Sequence, residues 1–287
     1  MNSKKLFWIC MPIASLFFFS ACAQTPKSFV SPKGYDLNNG EKQFLPDALH
    51  EISGIAFPQE SSQYIFANED EHGIVYFFAP GEQNLQQIKF AKKGDYEGIA
   101  INNGYVAVME SRGTIYTFPH ADMSQKNASN VKVAESLIPK EEYESLAAST
   151  ADSLLYVLCK KCTVDKGSKT LTGYILALAK DGEVSRKGEF KIDEEQIDRL
   201  SSLNGKSFRP SALTKNTQTN EWFILSSINK MLVVANDKWE VIGAYPLNPT
   251  VFNQPEAIAF DHSGNLYIGN EGGDKTNKAT LIKFKLN

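Results

Sequence analysis

Five copies of one short phrase constrain this chain more than anything else in it: HEISGIAF, DYEGIAI, EYESLAA, FRPSALTK and NQPEAIAF. Aligned on their apolar anchor they place Ile55, Ile99, Leu146, Leu213 and Ile258 in register, at intervals of 44, 47, 67 and 45 residues. A period of that length marks a repeat architecture in which each unit is one supersecondary element stacked on the next. After the phrase come runs rich in β-branched and aromatic residues: QYIFANE, GIVYFFAP and LQQIKFA in the first unit, EWFILSS, KMLVVAND and WEVIGAYPL in the fourth. Turn signals such as NNG, KDGE and DHSGN separate the runs. Four short strands per unit predict an all-β fold, a five-bladed β-propeller.

The long third interval contains TVDKGSKT, which reads as a polar loop, and DEEQIDRLSSL, whose Ile197, Leu200 and Leu203 have helical spacing. It is expected to be an insertion; splitting the third unit in two gives the alternative, a six-bladed ring. The fifth unit stops one strand short. Tyr35 to Pro46, YDLNNGEKQFLP, has the character of the missing strand, and pairing it into the last blade would remove the exposed edges of an open array.

The N-terminus reads as a targeting device. Lys4 and Lys5 precede an apolar run, Leu6 to Phe19, shorter than the ~20 residues of a membrane span. It ends in FSACAQ, which resembles a bacterial lipoprotein signal in its Ser20-Ala21-Cys22 core, with Phe19 where leucine is usual. The domain plan is therefore a signal at 1–21, a lipidated linker at 22–34 and a propeller at 35–287. Cys22 is the expected lipidation site, placing the protein on a cell membrane, the outer membrane facing the periplasm or the cell surface. An ordinary secretory signal cut after Ala23 is the alternative. In both cases the domain leaves the cytoplasm.

Loss of residues 1–21 removes two lysines and no acids, leaving 28 basic and 33 acidic residues, a net charge of −5. That balance gives no support to nucleic-acid binding, which needs a basic stripe; a monomer is expected. Cys159 and Cys162 form a lone CKKC pair, open to reading as a local disulfide, as free thiols or as part of a metal site. HEISG lacks the second histidine of a zinc-protease motif. Nucleophile-elbow, dinucleotide and Walker signatures are also missing.

LHEISGIAF, YEGIA, YESLAA, RPSALTK, YPLNP and QPEAIAFDHSGNLYIGNEGG together resemble the SdiA-regulated, YjiK-like β-propellers of bacteria, in their lipoprotein form. The likeness runs from Tyr35 to Asn287. It implies the propeller fold and, through wider relatives such as calcium-dependent phytases and gluconolactonase-like enzymes, a divalent-cation site without a fixed reaction.

Small residues in each phrase, among them Gly54, Gly98, Ala147 and Ala257, are read as packing near the axis. Acids accompany them: Glu51, Glu97, Glu144 and Glu256 at or beside the strand start, Ser211 interrupting the series, and then Glu69, Asp70, Glu110 and Glu271 at the end of the next strand. Carboxylates converging on one mouth repel, by about 4 kcal/mol at 4 Å and an effective dielectric of 20. Protonation, backbone amides, basic neighbours such as Arg112, Lys160 and Arg209, or a hard cation such as calcium would offset this. The acids therefore have three readings: hydrogen-bond acceptors setting blade register, a calcium site, or a catalytic pair. The expected function is a membrane-anchored module binding a small ligand or protein partner. The alternative is a metal-dependent hydrolase of phosphoesters or lactones.

Overall fold

The computed structural model describes residues 29–287, apart from 59–60, 150–151, 202 and 275. Cys22 and the whole signal segment lie outside the described residues. After β1 (Glu41–Phe44), strands β2 (Ile52–Ala56), β3 (Ile65–Glu69), β4 (Ile74–Phe78) and β5 (Gln86–Lys89) form the first antiparallel sheet. The second sheet holds β6 (Tyr96–Asn102), β7 (Tyr105–Glu110), β8 (Ile115–Pro119) and β9 (Lys132–Ala134). Next come β10 (Glu142–Ser149), β11 (Leu154–Lys161), β12 (Thr170–Leu178) and β13 (Val184–Asp193), followed by the helix α1 (Glu194–Leu200). The fourth sheet is β14 (Ala212–Asn216), β15 (Glu221–Ser226), β16 (Met231–Ala235) and β17 (Val241–Pro246).

In the last sheet β18 (Pro255–Phe260), β19 (Leu266–Asn270) and β20 (Thr280–Phe284) accept β1 as their outer strand, with Glu41 opposite Lys283 and Phe44 opposite Thr280. The ring is thus five four-stranded blades closed by the N-terminal strand, and the six-bladed alternative falls. The long third unit is explained by strands of eight, nine and ten residues and by α1, whose N-cap Asp193 accepts the Glu195 N–H at 2.8 Å. Closure is reinforced beside β1, where Tyr35 donates its hydroxyl to Gly264 O at 2.7 Å and Leu45 N–H reaches Ala279 O at 2.9 Å.

Each seam between blades holds its own hydrophobic cluster, because both faces of every sheet are covered by a neighbour. Phe190 and Trp222 both stack on Trp239 between blades three and four, at ring-centroid distances of 3.6 and 4.4 Å, so Trp222 is a core residue and the partly buried Trp239 packs against it. The innermost strands β2, β6, β10, β14 and β18 touch one another around the axis. That approach explains the small residues. A Cβ on Gly54 would lie 2.9 Å from the backbone N of Ile99, and one on Gly98 would lie 2.9 Å from Leu146 Cβ. Gly54→Val should cost about 2 kcal/mol through overpacking. Gly188→Val, on an outer strand where a Cβ meets nothing within 4 Å, should be neutral or slightly favourable; urea unfolding of both variants checks the contrast.

Candidate functional site

Near the start of four inner strands the pairing with the next strand slips by one residue. Tyr96 faces Glu110 and Gly98 faces Met109, which leaves Glu97 as the extra residue. Glu144 is left over between Tyr143 and Ser145, Glu256 between Pro255 and Ala257, and Ser53 between Ile52 and Gly54. In the fourth blade Ser211 precedes β14 and donates its N–H to Leu225 O at 2.8 Å. A bulge re-aims the side chain of its extra residue, and here Ser53, Glu97, Glu144 and Glu256 border one narrow void of ≈ 10 Å³ on the axis.

The first blade corrects the sequence reading. Its bulged residue is Ser53, while Glu51 lies before the strand, exposed at the rim, where its charge acts on Asp70 and Glu271. The anchor alignment already held this signal, since Ser53 stands two residues before Ile55 as Glu97 does before Ile99. The throat therefore carries three glutamates and a serine, with Ser211 completing the ring.

Burial drives the electrostatics. Desolvation first, then the charges of Glu144, Asp95 and Glu256, raise the Glu97 carboxyl to about 9. Burial and then Glu144 raise Glu256 to about 7, against hydrogen bonding from Ser227 and the pull of Lys160. Glu271 rises to about 8 and Asp70 to about 6, again mainly through burial, with neighbouring carboxylates adding to it. Burial also lifts Glu144, but the Lys160 ammonium is hydrogen-bonded to it and lies 3.5 Å from Glu142. Burial would lower Lys160, and these acids outweigh it and raise its pKa. The throat thus combines carboxyls whose pKa values are raised with an ammonium hydrogen-bonded to Glu144.

The remaining expected residues divide. Glu271 belongs to the throat and accepts from Gln254 Nε2. Glu69 does not: although buried, it caps the turn after β3, accepting from the N–H groups of Glu71 and His72 at 3.0 and 2.7 Å and facing His72 Nδ1 at 3.0 Å. Glu110 faces the Tyr116 hydroxyl at 3.4 Å, on the side of the aromatic cluster of the second blade. Asp95 and Lys230, which the repeat does not mark, act on the throat carboxyls through space. Of the bulge glutamates, Glu256 takes hydrogen bonding from Ser227 and Ser211 of the neighbouring blade. Further hydrogen bonds across the seams come from Asn68, donating to Tyr96 O at 2.8 Å, from Asn102, donating to Ser149 O at 3.0 Å, and from Ser211, donating to Pro255 O at 2.8 Å.

Among the described residues no group of three or more His, Cys, Asp or Glu side chains is placed to hold a metal ion by itself, so a calcium ion there would need backbone carbonyl or water oxygens beside the carboxylates. Cys159 and Cys162 are bonded to each other, with Cα atoms 5.9 Å apart, and the bridge encloses Lys160 and Lys161. The opposite end of the channel is a cavity of ≈ 190 Å³ lined largely by apolar residues such as Ile101, Ala148 and Phe260.

Two solved structures share this architecture at low identity. A luciferin-regenerating enzyme superposes with a TM-score of 0.55 at 11% identity, covering 86% of this chain and 95% of its own. Glutaminyl cyclase of Myxococcus xanthus gives 0.54 at 12%, covering 86% and 98%. At such identities the likeness is one of fold. The sequence itself is more specific: residues 30–273 match the SdiA-regulated family, and the chain belongs to that family.

Proposed function

We propose that this protein is an exported, lipid-tethered binding module that holds a small polar ligand by a cationic group in the carboxyl-lined throat. One observation carries the reading: Glu97, Glu144, Glu256 and Glu271, all partly buried, gather near the axis with the Lys160 ammonium hydrogen-bonded to Glu144 among them. Burying ionisable groups costs stability, and strongly perturbed carboxyls in a cleft are a mark of functional sites. The seated Lys160 ammonium supports the choice of a cationic partner. The tether rests on Ser20-Ala21-Cys22; among the described residues no helix is long and apolar enough to cross a membrane.

A cation entering beside Glu97 and Glu271, whose carboxyls are raised to about 9 and about 8, must displace protons. Putrescine and calcium chloride are the minimal probes, titrated into wild type and Glu97→Gln near pH 7. The expected result is a saturable rise in Tm for wild type, about 2.7 kcal/mol of stabilisation at 100 times Kd, with proton release and a weaker response in the variant. No response of wild type to either probe, or to other small amines, would sink the reading.

The hydrolase alternative draws on Glu256, held at about 7, where a carboxyl suits a general base. Turnover of p-nitrophenyl phosphate or δ-gluconolactone that disappears in Glu256→Gln would move the conclusion there.

A further inference from the structure

Beside the throat, lined by the third blade and the segments joining it to blades two and four, with Arg112 from the second blade, lies a second and larger cavity of ≈ 580 Å³. Its volume is within the range of small-molecule sites. Six basic residues line it (Arg112, Lys140, Lys160, Lys161, Lys166 and Arg209) against four acids, in a chain whose overall charge is negative.

The acids are already engaged. Asp165 accepts from Thr172 N–H at 2.9 Å and from its hydroxyl at 2.6 Å; Glu194 accepts from Phe208 N–H at 2.7 Å. Glu141 accepts from the Thr163 hydroxyl at 3.1 Å, and Glu142 faces Lys160 at 3.5 Å. Two of the cations are engaged as well, Lys160 on Glu144 and Arg209 on Lys160 O at 3.0 Å. Arg112, Lys140, Lys161 and Lys166 have side chains without a hydrogen-bond or ion-pair partner among the described residues, and all four border the same space. The wall is held in shape: the Cys159–Cys162 bridge encloses Lys161, and Asp165 ties the following turn to β12. Buried Leu171, Phe208 and Cys162 supply an apolar floor.

We propose that this cavity binds a soluble organic anion bearing two or more carboxylate or phosphate charges, through Arg112, Lys140, Lys161 and Lys166. Cations without an ion-pair or hydrogen-bond partner gain most from a multiply charged ligand, because each charge-assisted hydrogen bond is stronger than a neutral one. The apolar floor and the volume select an organic body over a bare inorganic ion. The site shares only Lys160 with the throat, so it stands independently of the throat's ligand.

Calorimetric titration of the full chain with citrate and glucose 6-phosphate, with glucose as the neutral control, tests it. Saturable binding of at least one anion, no binding of glucose and weakening at high salt are expected. Arg112→Ala and Lys161→Ala should each weaken binding about 10-fold, the equivalent of one charge-assisted contact. Lys161→Arg and the distant Lys238→Ala should leave it nearly unchanged. Both alanine variants change exposed side chains, and unaltered thermal unfolding confirms that they fold. Glu97→Gln should bind the anions as wild type does, which separates this site from the throat. Binding of neither anion, or binding indifferent to both alanine variants, overturns the proposal. So does binding confined to vesicles of phosphatidylglycerol, which would make the basic surface a membrane contact.

Discussion

Stability is expected to fall as pH rises from about 5 to about 9, and Glu97→Gln to remove a large part of that fall. A carboxyl whose folded pKa is raised keeps a proton that the unfolded chain has released. Its stabilising contribution is therefore whole below the unfolded value of 4.5 and drains away until the folded pKa is passed, at about 7 for Glu256, 8 for Glu271 and 9 for Glu97. Proteins stabilised by paired carboxylates show the opposite slope in the acid range. Glutamine keeps the shape of the protonated acid and has no proton to retain. Near pH 5 the variant should match wild type, and near pH 8 it should be more stable by about 2 kcal/mol, or roughly 4–8 °C in Tm. Denaturant melts of both proteins at the two pH values decide the matter. A stability gain independent of pH would mean that Glu97 is strained for reasons other than its charge.

The second large effect concerns Lys160. Its side chain is 20% exposed and that of Glu144 14%, so the ion pair sits mostly out of water. Removing one member of a buried pair strands the other, typically at 3–5 kcal/mol. Lys160→Met should thus cost about 3 kcal/mol near pH 8. Near pH 5 the loss should shrink, because Glu144 can take up a proton at little expense once the ammonium is gone. Lys160→Met combined with Glu144→Gln should recover most of the loss at pH 8, a non-additivity that a double-mutant cycle measures directly. Equal losses at both pH values would show that packing of the lysine stem, and not its charge, holds the region together.

Much of the architecture was readable before any coordinates. A phrase returning near every 45 residues, runs of strand character between turn signals, and a last unit one strand short together led to five blades and to closure by the segment that became Glu41–Phe44. The long third interval read correctly as an insertion, since DEEQIDRL carries helical spacing and became α1. The throat was read less well. Repetition alone drew Glu51 into the series in place of Ser53, and grouped Glu69 and Glu110 with Asp70 and Glu271, of which Asp70 and Glu271 act on the throat. An acid at a strand end can cap its own turn, as Glu69 does, or face a tyrosine, as Glu110 does, and composition is silent on which.

The residues in order were enough to dictate strand periodicity, blade number and the closing pair, because these follow from local alternation and from the need to cover sheet edges. Facing relationships across the axis had to wait for folding. Glu97 meets Glu144 and Glu256 only because one extra residue in each inner strand turns its side chain inward. Lys160, 16 residues beyond Glu144, reaches that acid only because strand pairing returns the chain beside it. Direction and proximity of this kind are properties of register, and register exists only once neighbouring strands and blades are in place.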